Sequence, residues 1–260
     1  MKAYIYYIVL LIVSILPVGC ISTGVQTDLK APSSFREAPK GGKVYKPAKE
    51  WEIRSEKDLE PLVKLGAKVT KAGGVVKVNL NGITIDGTKQ KGDGGQSERQ
   101  TPLFRARIPL MVENGFFNNN KNAATFYKPN SGAKNITLGR IGEDGLATSD
   151  GATNFLVQNC EFSGAADKSL QLNEARGAKI ISNTFHGGIT GVRVGKYDFS
   201  SKNDKATCSK NKFINVDTAW NVGEVTLEVT GKNSYQNVRL PFKVTKGAKI
   251  KNADGKVSSD

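Results

Sequence analysis

The chain has 260 residues, 38% hydrophobic and 24% charged, with a formal net charge of +14. That length suits one globular domain with a buried core. Its 28 glycines, together with frequent asparagine, favour tight turns and argue against a chain of long helices. The positive charge points to a polyanionic partner (nucleic acid, anionic lipid or an acidic glycan), or to a generally basic solvated surface, and does not choose among them.

Residues 1–20 read as an export leader. Lys2 supplies a short positive start, residues 5–16 an apolar run too short for a comfortable membrane span, and Gly19-Cys20 follows. This resembles a bacterial lipoprotein signal, which implies that Cys20 becomes the lipidated first residue of the mature chain. Pro17 stands where such signals usually carry Leu, with Leu16 one step earlier. Loss of Lys2 leaves 14 − 1 = +13. The expectation is an exported protein, either held at the cell envelope (outer membrane or cell surface) through a lipid anchor or secreted. Residues 1–19 are then the signal peptide, 20–50 a tether rich in Pro, Gly, Ser and Lys, and 51–260 the folded domain.

Ser55 and Asp58 suit the start of a short helix to about Leu65, which can cover the open end of a sheet stack. From Val75 onward, short alternating strands are separated by Gly, Asn and Asp. A loose repeat emerges. The segments 155–162, 179–185, 208–213 and 230–235 echo one another, and Asn159, Asn183, Asn211 and Asn233 lie 24, 28 and 22 residues apart. Each is followed by a second apolar strand, as at Leu170 to Leu172 and Val192 to Val194. The predicted fold is all-β: a right-handed parallel β-helix, or solenoid, with a short N-terminal capping helix. Asn suits a repeated turn because it tolerates left-handed backbone and can bond to the Asn above and below. A β-sandwich would also give short strands, though not readily such aligned Asn and Phe units. With coils about 4.8 Å apart, Cys160 and Cys208 fall two coils apart and outside the roughly 7 Å Cα separation of a disulfide. Both are expected to be free and buried.

Setting Leu146, Leu170 and Val192 on one inward ladder places Glu143 over Asp167, Asp144 over Lys168, and Arg193 over Gln171. Carboxylates from adjacent coils make an oxygen-rich site for a hard cation such as Ca²⁺. Such a cation can hold a uronate carboxylate and acidify the neighbouring C–H. A Lys or Arg beside it can serve as base. The plainer reading is a surface salt-bridge patch. His186, the single histidine, reads as a stacked turn residue, Trp51 and Trp220 as cap or core, and Phe116, Phe117, Phe126 and Phe155 as an internal stack. The sequence shows no phosphate loop, no Cys/His metal spacing and no nucleic-acid module, so no nucleic-acid partner is expected.

The run from Gly92 through Gln96, Glu98, Gln100 and Pro102 to Phe104 resembles the G-D-G-x-Q-x-E-x-Q-x-P-x-F pattern of the family-three pectate lyases, which are polysaccharide lyases. Gly142-Glu143-Asp144-Gly145-Leu146 is similar to their G-E-D-A-L and Asp167-Lys168-Ser169-Leu170-Gln171 to their D-K-x-x-Q, the likeness spanning about residues 75–200. The resemblance implies cleavage of polygalacturonate, or a related uronate polymer, by Ca²⁺-assisted β-elimination. Glu143 and Asp144 would help bind the ion, with Asp167 beside them, and Lys168 would lie in the active site with Arg193 near it. The chain departs from the pattern where Ala123-Ala124-Thr125 replaces an A-D-G run, and where Thr190 and Gly191 follow Ile189 in place of the family's Gly-Lys. These departures keep open a second function, a non-catalytic β-helix lipoprotein that binds acidic polysaccharide. Either way a monomer is expected.

Overall fold

In a computed structural model of the chain, residues 36–47, 51–87, 102–118, 122–163, 165, 167–195, 203–245 and 247–259 are described. They form the all-β parallel β-helix expected from the repeat. Nine strands, from Trp51–Ile53 to Val257–Ser259, stack in chain order as one parallel sheet. The opposing sheet splits into two faces. In strand Gly132–Leu138, Gly132 to Lys134 pair with Leu156–Gln158, while Thr137 and Leu138 pair with Glu161–Ser163. The strand bends at Asn135, whose φ is 51°. Asn114, Asn159, Ser182 and Lys210 hold the same corner in other coils, all with φ between 53° and 58°.

This corner corrects the register of the first asparagine. Paired strands set Phe162 over Phe185 and Phe213, so Asn183 and Asn211 stack beneath Cys160, and Asn159 lies one residue early, in the turn. In these coils the two duties predicted for Asn are divided between neighbouring positions, whereas Asn114 and Asn135, at the same corner nearer the N-terminal end, combine them, Asn135 Nδ2 donating to Asn114 Oδ1 at 2.9 Å. Left-handed backbone falls to Asn159, Ser182 and Lys210, and inter-coil hydrogen bonding to the buried Asn183, Asn211 and Asn233. Asn183 Nδ2 donates to Asn211 Oδ1 and Asn211 Nδ2 to Asn233 Oδ1, both at 3.0 Å. The Cys160 N–H donates into Asn183 Oδ1 at 2.9 Å. Asp254 ends the ladder, accepting from Asn233 Nδ2 at 3.0 Å and from the Tyr235 hydroxyl at 2.6 Å.

Inside, the apolar residues stack coil upon coil. Phe162, Phe185 and Phe213 lie face to face with centroids 4.7 and 4.9 Å apart. Of the predicted internal set, Phe117, Phe126 and Phe155 enter the core nearer the N-terminal end, where Phe104 joins them edge-on, whereas Phe116, though buried, falls on the outward column with Thr137 and Glu161 and outside the core cluster. Burying each such ring stabilises by about 1.5–3 kcal/mol. Trp220 is fully buried, and Trp51 packs edge-on against Tyr45 and Phe104. Cys160 and Cys208 are free and buried, in columns that never meet, and burial pushes both thiols up to about 12.

The N-terminal cap forms as read: a 3-10 turn Glu56–Leu59 runs into the helix Glu60–Lys64. Asp58 Oδ2 accepts the Ser55 N–H at 2.7 Å, and Leu59 and Leu62 enter the core beside edge strand Trp51–Ile53. Two features differ from the reading. Lys68–Ala72 pairs antiparallel with Val75–Asn79 through Gly73 and Gly74, whose φ values of 58° and 77° suit a tight hairpin. Part of the supposed tether also belongs to the domain. Val44–Tyr45 pairs with Thr84–Asp86, and the Arg36 N–H donates to Ser163 Oγ at 3.3 Å.

Candidate functional site

The nine-stranded sheet repeats one burial pattern. In Asp144–Thr148, Asp144 and Ala147 face outward while Leu146 and Thr148 face the core. The same break recurs in the adjoining strands, where Ala123 and Ser169 hold the register of Gly145; at Gly145 itself a Cβ would lie 1.9 Å from the Ser169 carbonyl oxygen, so no larger residue fits there. The predicted ladder holds, with Leu146 over Leu170 and Leu170 over Val192. Asp144 therefore pairs with Lys168 and Gln171 with Arg193, and the Asp167 N–H donates to the Glu143 carbonyl at 3.0 Å.

Side chains converge on Lys168. Its Nζ lies 3.5 Å from Asp144 Oδ1 and is ion-paired with Asp167, with Lys168 and Asp144 each only about a fifth exposed. Burial holds the Asp144 carboxyl above the ordinary range. Lys168 pulls the other way, while Asp167 and Glu143 add to the rise. The Asp144 N–H is fixed by Asn122 Oδ1 at 3.1 Å. Asp144 and Glu143 edge an open groove of about 300 Å³ with Arg105, Tyr127, Gln171 and Asn173. Arg193 lies one coil below Gln171, half-buried on the same outward column, and no ion pair joins it to another described residue.

The acids predicted as metal ligands thus share one face, and their oxygen donors are of the kind a hard cation takes. Their carboxylates do not close on one point: among the described residues no three His, Cys, Asp or Glu side chains gather closely enough to hold a metal ion. In the coil above, Ala124 lies on the inward ladder over Leu146, and Asn122, whose Oδ1 accepts the Asp144 N–H, holds the outward place above Asp144. His186 is a stacked strand residue between Ser163 and Ile214; burial lowers its proton affinity, opposed by Glu161. Cys20 and residues 92–101 of the first motif lie outside the described residues. The remainder of that motif is seen: Phe104 is buried, and Arg105 faces outward into the groove.

Sequence reading missed Tyr127, which lines the groove, and Arg107, which backs the Tyr127 ring from outside the lining. The Arg107 guanidinium sits 3.7 Å from the Tyr127 ring centroid and is paired with Glu52 at 3.2 Å. Burial would raise Glu52, but Arg107 and Arg54 hold it below the usual carboxylate range. Extending the coil alignment one residue past Phe126 would have found the pair, since Arg107 and Tyr127 follow the registered Ala106 and Phe126. Comparison with protein-family models and with curated proteins finds no match to this chain.

Proposed function

We propose that this chain engages an acidic uronate polymer such as polygalacturonate at the groove, and that it cleaves the polymer by β-elimination in the manner of a pectate lyase. The observation that carries the reading is Lys168, pinned between Asp144 and Asp167 beside an open groove on a protein of net charge +14. In the reaction the Lys168 amine takes the proton α to the uronate carboxylate. The electron pair forms the new C=C bond, the adjacent glycosidic C–O bond breaks, and the departing oxygen takes up a proton. Were the carboxylates of Glu143, Asp144 and Asp167, which do not gather on one point here, to draw together on Ca²⁺, the ion would neutralise the uronate carboxylate and acidify that C–H. Arg193, next down the outward column, would clamp a second carboxylate.

One observation favours the binding-protein reading. Lys168 Nζ is already engaged by two carboxylates, Asp144 and Asp167, rather than left open to the groove, which suits a clamp better than a base. The deciding experiment incubates purified protein with polygalacturonate, in Ca²⁺ and in chelator, and follows both retention on the polymer and unsaturated ends. Retention with Ca²⁺-dependent product is the expected result. Retention without product selects the binding protein, and no retention removes both readings.

The lipoprotein-like leader supports an activity outside the cytoplasm, with Cys20 acylated. A fatty-acid analogue should label the wild type in cells, and equal labelling of Cys20→Ala would refute the anchor.

A further inference from the structure

The coil register sets Arg107, Tyr127, Ser149, Asn173, Gly195 and Gly223 in one column beside the groove. The column narrows at Ser149, between Tyr127 and Asn173. Arg107 covers the N-terminal side of the Tyr127 ring at 3.7 Å, held there by Glu52. The next coil toward the C-terminal end offers only Ser149 in this column and Ala147 in the adjoining one, both lining the groove. The aromatic ring is therefore backed by a cation on one side and bordered by small side chains on the other. A guanidinium stacked on an aromatic ring fixes the ring's orientation and adds polar interaction energy.

We propose that the C-terminal face of Tyr127, over Ser149 and Ala147, is a stacking seat for one pyranose ring of the polymer, with Arg107 as its positioning residue. The apolar C–H face of a pyranose matches an aromatic face, and the polar groups around the sugar edge meet Gln171 and Asn173, which line the same groove. Gln171 Oε1 is buried without a donor, while Nε2 is taken by Asn173 Oδ1 at 2.9 Å. A sugar hydroxyl reaching a rotated Gln171 would supply the missing donor. Ala147 sets the clearance, because any longer side chain on this outward column would stand where the ring must lie. The proposal rests on the glycan reading of the groove but not on catalysis or on Ca²⁺.

The test is calorimetric titration of the full chain with a short oligogalacturonate and, separately, a neutral oligogalactan. Tyr127→Ala should weaken oligogalacturonate binding by about tenfold, whereas Tyr127→Phe should bind as wild type does. Ala147→Leu should weaken binding comparably while leaving Tyr127 in place, which guards against a folding defect in Tyr127→Ala. Arg107→Gln should weaken binding, and Arg107→Lys, which keeps a cation above the ring, should restore part of it. If Tyr127→Ala and Ala147→Leu bind oligogalacturonate as tightly as wild type, the seat is wrong while the acidic-glycan reading survives. If wild type binds only the neutral sugar, in a Tyr127-dependent way, the seat survives and the acidic reading fails. Binding of neither sugar overturns both.

Discussion

Lys168→Ala is expected to lower the release of unsaturated uronate ends by about 10²–10⁴-fold, the typical contribution of a positioned general base. The argument starts from position. Lys168 is held in the strand Lys168–Leu172 directly under Asp144, and its side chain is tied to two carboxylates beside the groove. Measured at saturating polymer and Ca²⁺, the loss should appear in kcat. If Lys168 instead clamps a substrate carboxylate, KM rises and kcat holds. If it is only an ion-pair partner, activity is unchanged and stability moves by no more than about 1 kcal/mol. An active wild type with an equally active Lys168→Ala would sink the assignment.

The same variant carries a pH signature. Asp144 has its proton affinity raised by burial and restrained by Lys168. A carboxyl whose folded-state pKa is raised stabilises the fold while protonated, and that contribution is lost as pH rises through the folded value. Removing Lys168 raises Asp144 further, so the gap in melting temperature between wild type and variant should widen from acid toward neutral pH. A gap that narrows over that range would contradict the electrostatic account of the site.

The sequence carried the fold because a β-helix writes its geometry into repeated spacing. Inward Leu146, Leu170 and Val192 are apolar in every coil, and their alignment alone set Asp144 over Lys168, as observed. Asn159 misled the reading because two neighbouring corner positions both favour small polar residues, one for left-handed backbone and one for side-chain bonding. The aromatic column fixes the register instead: Phe185 and Phe213 stand two residues after Asn183 and Asn211, so Phe162 selects Cys160. Tyr127 and Arg107 were hidden for another reason. They lie one residue past the strands Asn122–Phe126 and Pro102–Ala106, where the pattern has no inward constraint, so an alignment built on inward residues stops just short of the pair. Pairing of Lys168 with both aspartates was likewise beyond sequence, since spacing gives a shared face but not which way a flexible chain turns.

Asn211→Ala is expected to cost on the order of 3–5 kcal/mol, a large part of the roughly 5–15 kcal/mol that holds a typical domain together. Asn211 is 1% exposed and joins three coils. Its Nδ2 donates to the Ile180 carbonyl at 2.9 Å and to Asn233 Oδ1 at 3.0 Å. Its Oδ1 accepts both the Asn183 backbone N–H and Asn183 Nδ2 at 3.0 Å. Alanine removes all of these and leaves donors on Asn183 and the acceptor of Ile180 buried without their Asn211 partners, each costing about 1–3 kcal/mol. Asn159→Ala supplies the contrast. Asn159 is exposed at a corner with φ 53°, so its replacement should cost only about 1–2 kcal/mol of left-handed strain. Urea unfolding compares the two, and equal losses would refute the division of roles at this corner. Because each coil touches only its neighbours, the damage should also be local. In hydrogen exchange, Asn211→Ala should strip protection from Lys212–Ile214 and Ser234–Gln236 while sparing Pro102–Ala106. Uniform loss along the stack would mean that the helix unfolds as one unit and that the asparagine ladder adds no local cohesion of its own.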